Sequence, residues 1–220
     1  MDLETVYRRL HARYGHARWW PGETPFEVCV GAILTQRTSW RNAEKALDAL
    51  RAKGRLSYEG LRSLPPHRLA PIIRPAGFFK VKARRLAAFV AFLGRAYGGD
   101  VRSMRAEEPL VLRAKLLSVD GVGPETADAI ALYAAEQPLF VVDAYTRRVF
   151  ARLGHLRGDE DYLGVQRYFH DRLPRDPALF NDYHAQIVTL AKEACRPRPR
   201  CGACPLDDVC AKNGVHPRRS

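Results

Sequence analysis

The chain has 220 residues, 46% of them hydrophobic, enough for one large domain or two small ones that each bury a core. No run is long and apolar enough to cross a bilayer as a helix, which excludes functions that need helical membrane spans. Lysine and arginine total 36 against 24 acids, a net charge of +12 that favours a polyanionic partner over an acidic or apolar one.

Apolar residues recur at helical spacing without sustained alternation, so an all-helical chain is expected. Leu3, Val6, Tyr7, Leu10 and Tyr14 form one stripe of an amphipathic, charged N-terminal helix, unlike an export signal. Thr24-Pro25-Phe26-Glu27 reads as a capping box with proline at the first helical position, and a helix is predicted from there to near Thr35. Cys29 lies within its apolar run, FEVCVGAIL, as a packing residue. Another helix is expected from about Ser39 to Lys53, and Pro65, Pro66, Pro71 and Pro75 break the next stretch into turns and short helices. Leu86, Phe89, Val90, Leu93 and Tyr97 mark a further helix stopped by Gly98-Gly99. Beyond it the pattern predicts helices over roughly 107–117, 124–135, 143–153, 161–173 and 177–194, with no repeat and no low-complexity linker.

Residues 116–150, LLSVDGVGPETADAIALYAAEQPLFVVDAYTRRVF, carry the most chemistry. In GVG, Gly121 and Gly123 permit a tight turn that brings bare N–H groups against a phosphate oxygen, and the helix opening at Pro124 adds its own free N–H groups. Asp143 follows the apolar run Leu139 to Val142 and precedes a helix that Gly154 closes. It is suited to cap that helix. A carboxylate there can also stabilise a developing positive charge, and can orient or deprotonate water. The two roles are compatible, because capping would position the group and lower its pKa.

Four of the five cysteines crowd into CRPRPRCGACPLDDVC, as Cys195, Cys201, Cys204 and Cys210. Thiolates spaced C-x5-C-x2-C-x5-C can converge on one metal centre, and zinc or a [4Fe–4S] cluster both satisfy that spacing. Disulfides are disfavoured in a chain read as lacking an export signal. Arg196, Arg198 and Arg200 alternate with Pro197 and Pro199; stiff prolines would project the guanidinium groups toward phosphates, the alternative being a solvated charge run.

Hairpin, spacing and the VD pair together resemble the helix-hairpin-helix DNA glycosylases of the endonuclease III superfamily. There the hairpin reads LPGVGxxTA and a following VD pair carries the catalytic aspartate. The resemblance implies an all-α fold of two helical domains with a helix-hairpin-helix motif and an active-site cleft between them. Residues 24–137 would form a helical-barrel domain, and 1–23 with 138–220 an iron–sulfur cluster domain. The tail is similar to the family's cluster loop, C-x6-C-x2-C-x5-C, with the first gap one residue shorter. That likeness favours a structural 4Fe–4S cluster over zinc. Bifunctional members carry lysine at the second residue after GVG and form a Schiff base with the sugar. This chain has Glu125, which cannot form an imine. The resemblance therefore implies hydrolysis with Asp143 as the catalytic group and Glu125 adding negative potential, leaving an abasic site.

Within that superfamily, WWPGETPFEVCVGAILTQRTSW, IRPAGFFKVKARRL, GVGPETADAIALYA and VVDAY, over about residues 19–154, look like the endonuclease III-like 3-methyladenine DNA glycosylases. One departure stands out: the best-known pattern of that subgroup lacks the four cysteines. The likeness implies removal of alkylated purines such as 3-methyladenine from double-stranded DNA. An alkylated adenine is a cation and a good leaving group, so aromatic faces and one aspartate suffice for it. Trp19, Trp20 and Trp40 are expected around the base pocket, with core packing the competing reading. Gln36 is expected to enter the space a flipped base vacates and bond the orphaned partner. Phe78 or Phe79, in AGFF, is the expected intercalating wedge, again against core packing. The seven histidines receive no role.

The reading is a monomeric, cytoplasmic, nucleoid-associated base-excision repair glycosylase. Two alternatives stay open: an endonuclease III-like glycosylase and lyase for oxidised pyrimidines or mismatches, and a non-catalytic helix-hairpin-helix DNA-binding protein.

Overall fold

A computed structural model describes residues 1–17 and 22–215. Among them are eleven α-helices, three 3-10 turns and one π turn, with no strand. None of the helices is long and apolar enough to cross a membrane. The chain divides into two compact units, Trp20–Gln137, and Met1–Trp19 together with Pro138–Ser220.

The contiguous unit is built around α2 (Pro25–Leu34), in which every residue from Phe26 to Leu34 is buried. Thr24 starts it by accepting the Glu27 N–H at 3.2 Å, while the Glu27 carboxylate reaches back to the Glu23 N–H at 3.0 Å. Satisfying orphan donors at the first turn fixes where the helix begins. Around it come α3 (Trp40–Ala52), α4 (Tyr58–Arg62), α5 (Pro66–Ile72), α6 (Phe79–Tyr97), α7 (Pro109–Leu117) and α8 (Pro124–Ala129). Helix α6 begins seven residues ahead of the apolar stripe that announces it, because its first two turns carry Lys80, Lys82, Arg84 and Arg85. Lys82 is nevertheless only 1% exposed. Its ammonium donates at 2.7 Å to the carbonyls of both Leu34 and Ala76, which offsets the cost of burying it. Helix α8 runs on into a π turn, Ile130–Ala134, closed by Ala135 N–H on the Ile130 carbonyl.

In the discontinuous unit, α1 (Leu3–Tyr14) and α9 (Ala144–Leu153) both pack on α11 (Pro177–Glu193), and α10 (Tyr162–His170) completes the core. Phe140, Phe150, Phe169, Phe180 and Tyr183 are fully buried and meet edge to face, apart from a stacked Phe140–Phe169 pair at 3.9 Å. Asp182, buried on α11, accepts the Tyr7 O–H and the Ala17 N–H, each at 2.7 Å, and pairs with His16 at 3.0 Å. One carboxylate thus holds the N-terminal segment against the long C-terminal helix.

Candidate functional site

The turn between α7 and α8 demands glycine at one of its two candidate positions. Gly121 has φ +78, and a Cβ there would collide with the Arg85 side chain lying across it. Gly123 has φ −90 and caps α8, and nothing lies within 4 Å of where its Cβ would be. Open space therefore lies beside the N–H groups of the first turn. Behind the hairpin, Arg113 donates to Asp128 at 2.7 Å, with Asp128 wholly buried, so α7 and α8 are tied by a screened ion pair. Glu125 sits exposed in the first turn of α8.

Two further turns lie in this unit. Gln36 follows α2, and its Nε2 donates to the Gly121 carbonyl at 2.9 Å and to Thr126 Oγ1 at 3.0 Å. Its Oε1 accepts from Arg85 at 2.5 Å. In this conformation the amide braces the hairpin rather than projecting outward, as the sequence pattern led one to expect. Phe78 precedes α6 with φ +46 and is 62% exposed, so core packing does not explain it. Phe79 begins the helix and is half-buried. Trp40 opens α3, half-buried as well. Trp19 and Trp20 lie outside the described residues.

Asp143 caps α9 by accepting the Thr146 N–H at 2.7 Å. Its other oxygen faces His184 Nε2 of α11 at 3.5 Å. Burial pushes this carboxyl up, but the His184 imidazole and the Thr146 hydrogen bonds outweigh that, so it sits below its ordinary value. The side chain remains 14% exposed. The result is an anchored carboxylate, ionised at neutral pH and still reachable. His184 was given no role from sequence: it stands 41 positions from Asp143, and only the packing of α9 on α11 brings the two together.

Cys195, Cys201, Cys204 and Cys210 line one pocket with Val149, Leu153, Leu190 and Leu206. Arg152 frames it, donating to Cys195 Sγ at 3.4 Å and to the Pro197 carbonyl at 3.0 Å, while its own carbonyl accepts from Cys210 Sγ at 3.3 Å. Burial and the neighbouring sulfurs push the Cys204 thiol up to about 11, and burial raises Cys210. Four sulfurs that would repel one another as thiolates form the donor set that a cationic metal centre relieves, so the residues fit a zinc ion or an iron–sulfur cluster. Arg196, Arg198 and Arg200 are all exposed beside it, the first folded back onto the Lys192 carbonyl at 2.6 Å.

A family described as the HhH-GPD superfamily of base excision DNA repair proteins matches residues 30–175. A Methanocaldococcus jannaschii protein that carries the name of a DNA repair glycosylase is 43% identical over 206 residues, covering 93% of this chain and 94% of its own. Endonuclease III of Thermotoga maritima is 30% identical over 189 residues, covering 84% and 82%. Among solved structures, the 3-methyladenine DNA glycosylase of H. pylori bound to 1,N6-ethenoadenine superposes with a TM-score of 0.77 at 25% identity, covering 88% of this chain and 98% of its own. A trapped endonuclease III–DNA covalent intermediate shares the fold, with a TM-score of 0.81 at 24% identity over 95% and 94% of the two chains.

Proposed function

Since the chain belongs to the HhH-GPD superfamily of base excision DNA repair proteins, as an endonuclease III-like DNA glycosylase, we propose that it is a monofunctional enzyme for alkylated purines such as 3-methyladenine. The observation that carries the reading is Asp143, a low-pKa carboxylate fixed by Thr146 and His184 and still open to solvent. A charge held in place before the reaction costs no reorganisation when the sugar becomes cationic. Asp143 would stabilise that cation and orient the attacking water through the oxygen not engaged by Thr146. His184 would keep that oxygen in place as a positioning residue.

Glu125 supports the monofunctional part: where bifunctional relatives present an amine, this chain presents a carboxylate, and no imine follows. The likeness to a solved 3-methyladenine glycosylase supports the substrate class. A cationic base needs little protonation to leave, so aromatic faces contributed by Trp19, Trp20 and Trp40 would suffice to hold it. Gly121, Gly123 and the tail arginines would hold the phosphates. Cys195, Cys201, Cys204 and Cys210 would hold a 4Fe–4S cluster, which supplies structural cross-linking of the tail. Iron and sulfide analysis of freshly purified protein distinguishes it from zinc.

The similarity to Thermotoga maritima endonuclease III favours a second reading, an enzyme for oxidised pyrimidines. Methylated DNA and thymine-glycol duplexes assayed side by side separate the two. Release of 3-methyladenine without a borohydride-trapped adduct is the expected outcome; pyrimidine release without alkylpurine release overturns it.

A further inference from the structure

We propose that His11, His16 and Asp182 form a binding site for one divalent first-row transition metal, zinc foremost, where the N-terminal segment meets α11. One nitrogen of each histidine and one oxygen of Asp182 all lie within 4.8 Å of one another. No step of base release calls on these residues, and the cysteine tail supplies none of them. Two imidazoles and a carboxylate make the donor set of open zinc sites, in which water takes the fourth position. Nitrogen donors also favour zinc and its neighbours over magnesium and calcium, which prefer oxygen.

The chain builds this cluster from local structure. His11 lies in the last turn of α1, and Gly15 caps that helix by donating its N–H to the His11 carbonyl at 2.8 Å. Gly15 has φ +71, a backbone that glycine adopts at little cost. The chain turns there and brings His16 back beside His11, with ring centroids 6.5 Å apart. Asp182 and Gln186, one turn apart on α11, then fasten the turn. Gln186 Nε2 donates to the Gly15 carbonyl, and Asp182 Oδ1 accepts the Ala17 N–H at 2.7 Å. The backbone on both sides of His16 is therefore held before any ion arrives.

The carboxylate is also oriented as a ligand must be. Its Oδ2 accepts the Tyr7 hydroxyl at 2.7 Å, while Oδ1 faces His16 Nδ1 at 3.0 Å. Bonds of about 2.0–2.1 Å in a tetrahedron set neighbouring donors roughly 3.3 Å apart, so this pair needs almost no movement. An ion takes the place of the hydrogen between Nδ1 and Oδ1, the imidazole proton moving to Nε2, and Ala17 keeps the other lone pair of Oδ1. The His16 side chain is 68% exposed and the His11 ring also reaches solvent, so both can turn and an ion can enter. Asp182 itself is buried, where water screens its attraction to a dication least. Once bound, the ion cross-links α1 and the turn after it to α11.

The test dialyses the complete protein, its tail as purified, against dilute zinc chloride and counts metal per chain. Wild type should hold one zinc more than His11→Ala or His16→Ala, whatever the cysteines carry, because the tail is the same in all three. Both substitutions fall on side chains that reach solvent, and Asp182 stays in place to hold the N-terminal segment. Isothermal titration should give each variant a Kd roughly tenfold weaker or more, since losing even a neighbour of a ligand costs that much. Zinc at about a hundred times Kd should raise the wild-type Tm by roughly 5–10 °C and leave both variants nearly unmoved; magnesium should move none of them. Equal zinc content in wild type and variants, a loss in only one variant, a wild-type Tm indifferent to zinc, or a magnesium shift equal to that of zinc would each overturn the inference. No DNA enters the assay, so its failure and a failure of the glycosylase reading are separate results.

Discussion

Replacing Asp143 by asparagine and by alanine separates its two duties. Asparagine keeps an oxygen for the Thr146 N–H, now accepted at 2.7 Å, and removes the charge facing His184; alanine removes both. Losing a helix N-cap costs about 1 kcal/mol, which in a chain of this size lowers Tm by roughly 2–4 °C. Asp143→Ala should therefore melt that much below Asp143→Asn. Both variants also lose the stabilisation tied to the depressed carboxyl pKa. That contribution is present above the unfolded value of about 3.9 and disappears as pH falls through the lower folded value, so the wild-type advantage should shrink only in strong acid. Chemistry should not distinguish the two: a preorganised group facing developing charge accounts for about 10²–10³ in rate, and each variant should lose at least that. Single-turnover release of 3-methyladenine from methylated duplex, with thermal denaturation followed by circular dichroism, gives both numbers. Base release by Asp143→Asn within tenfold of wild type, alongside a dead Asp143→Ala, would reduce the carboxylate to a cap and refute its catalytic assignment.

Gly121→Ala should cost about 1–2 kcal/mol in urea denaturation, because its φ of +78 suits glycine and its Cβ displaces Arg85. Gly123→Ala should leave stability within about 0.5 kcal/mol and weaken DNA binding, since the added methyl meets only the open space where a phosphate would sit. Lys82→Met should cost about 3 kcal/mol by leaving two buried carbonyls without their donor. Burial, then the charge of Arg85, draws Lys82 down to about 8, so the unfolded chain holds a proton between pH 8 and about 10.4 that the folded chain has released. Stability from this group rises across that window, and urea midpoints at its two ends should differ less in Lys82→Met than in wild type. Glu125→Lys should yield a borohydride-trapped adduct with abasic DNA where wild type yields none; no adduct would mean that position 125 does not reach the sugar.

Helix starts were the most legible part of the chain, because they rest on local chemistry. The Thr24 box and the Asp143 cap each need only a side-chain oxygen and an N–H three residues on. The start of α6 was not, since hydrophobic periodicity is silent where a helix carries Lys80, Lys82, Arg84 and Arg85. A lysine buried by two carbonyls from other turns has no signature along the sequence. The same holds for His184, which meets Asp143 only through helix packing, and for Gln36, whose motif gives the turn but not the direction of its amide. Backbone strain is the least legible of all. Residue types predict ordinary φ at Arg37 and Phe78, whereas the structure holds them at 54 and 46.

The discontinuous unit has a consequence for synthesis. Residues 20–137 can close their core as soon as they leave the ribosome, domain by domain. The other unit must wait with its first nineteen residues until α11 emerges, because Tyr7 and Ala17 find their acceptor only at Asp182. His184 lies on that same late helix, so Asp143 gains its imidazole neighbour only once α11 has formed. A nascent chain therefore forms the hairpin between α7 and α8 before it holds the Asp143–His184 pair.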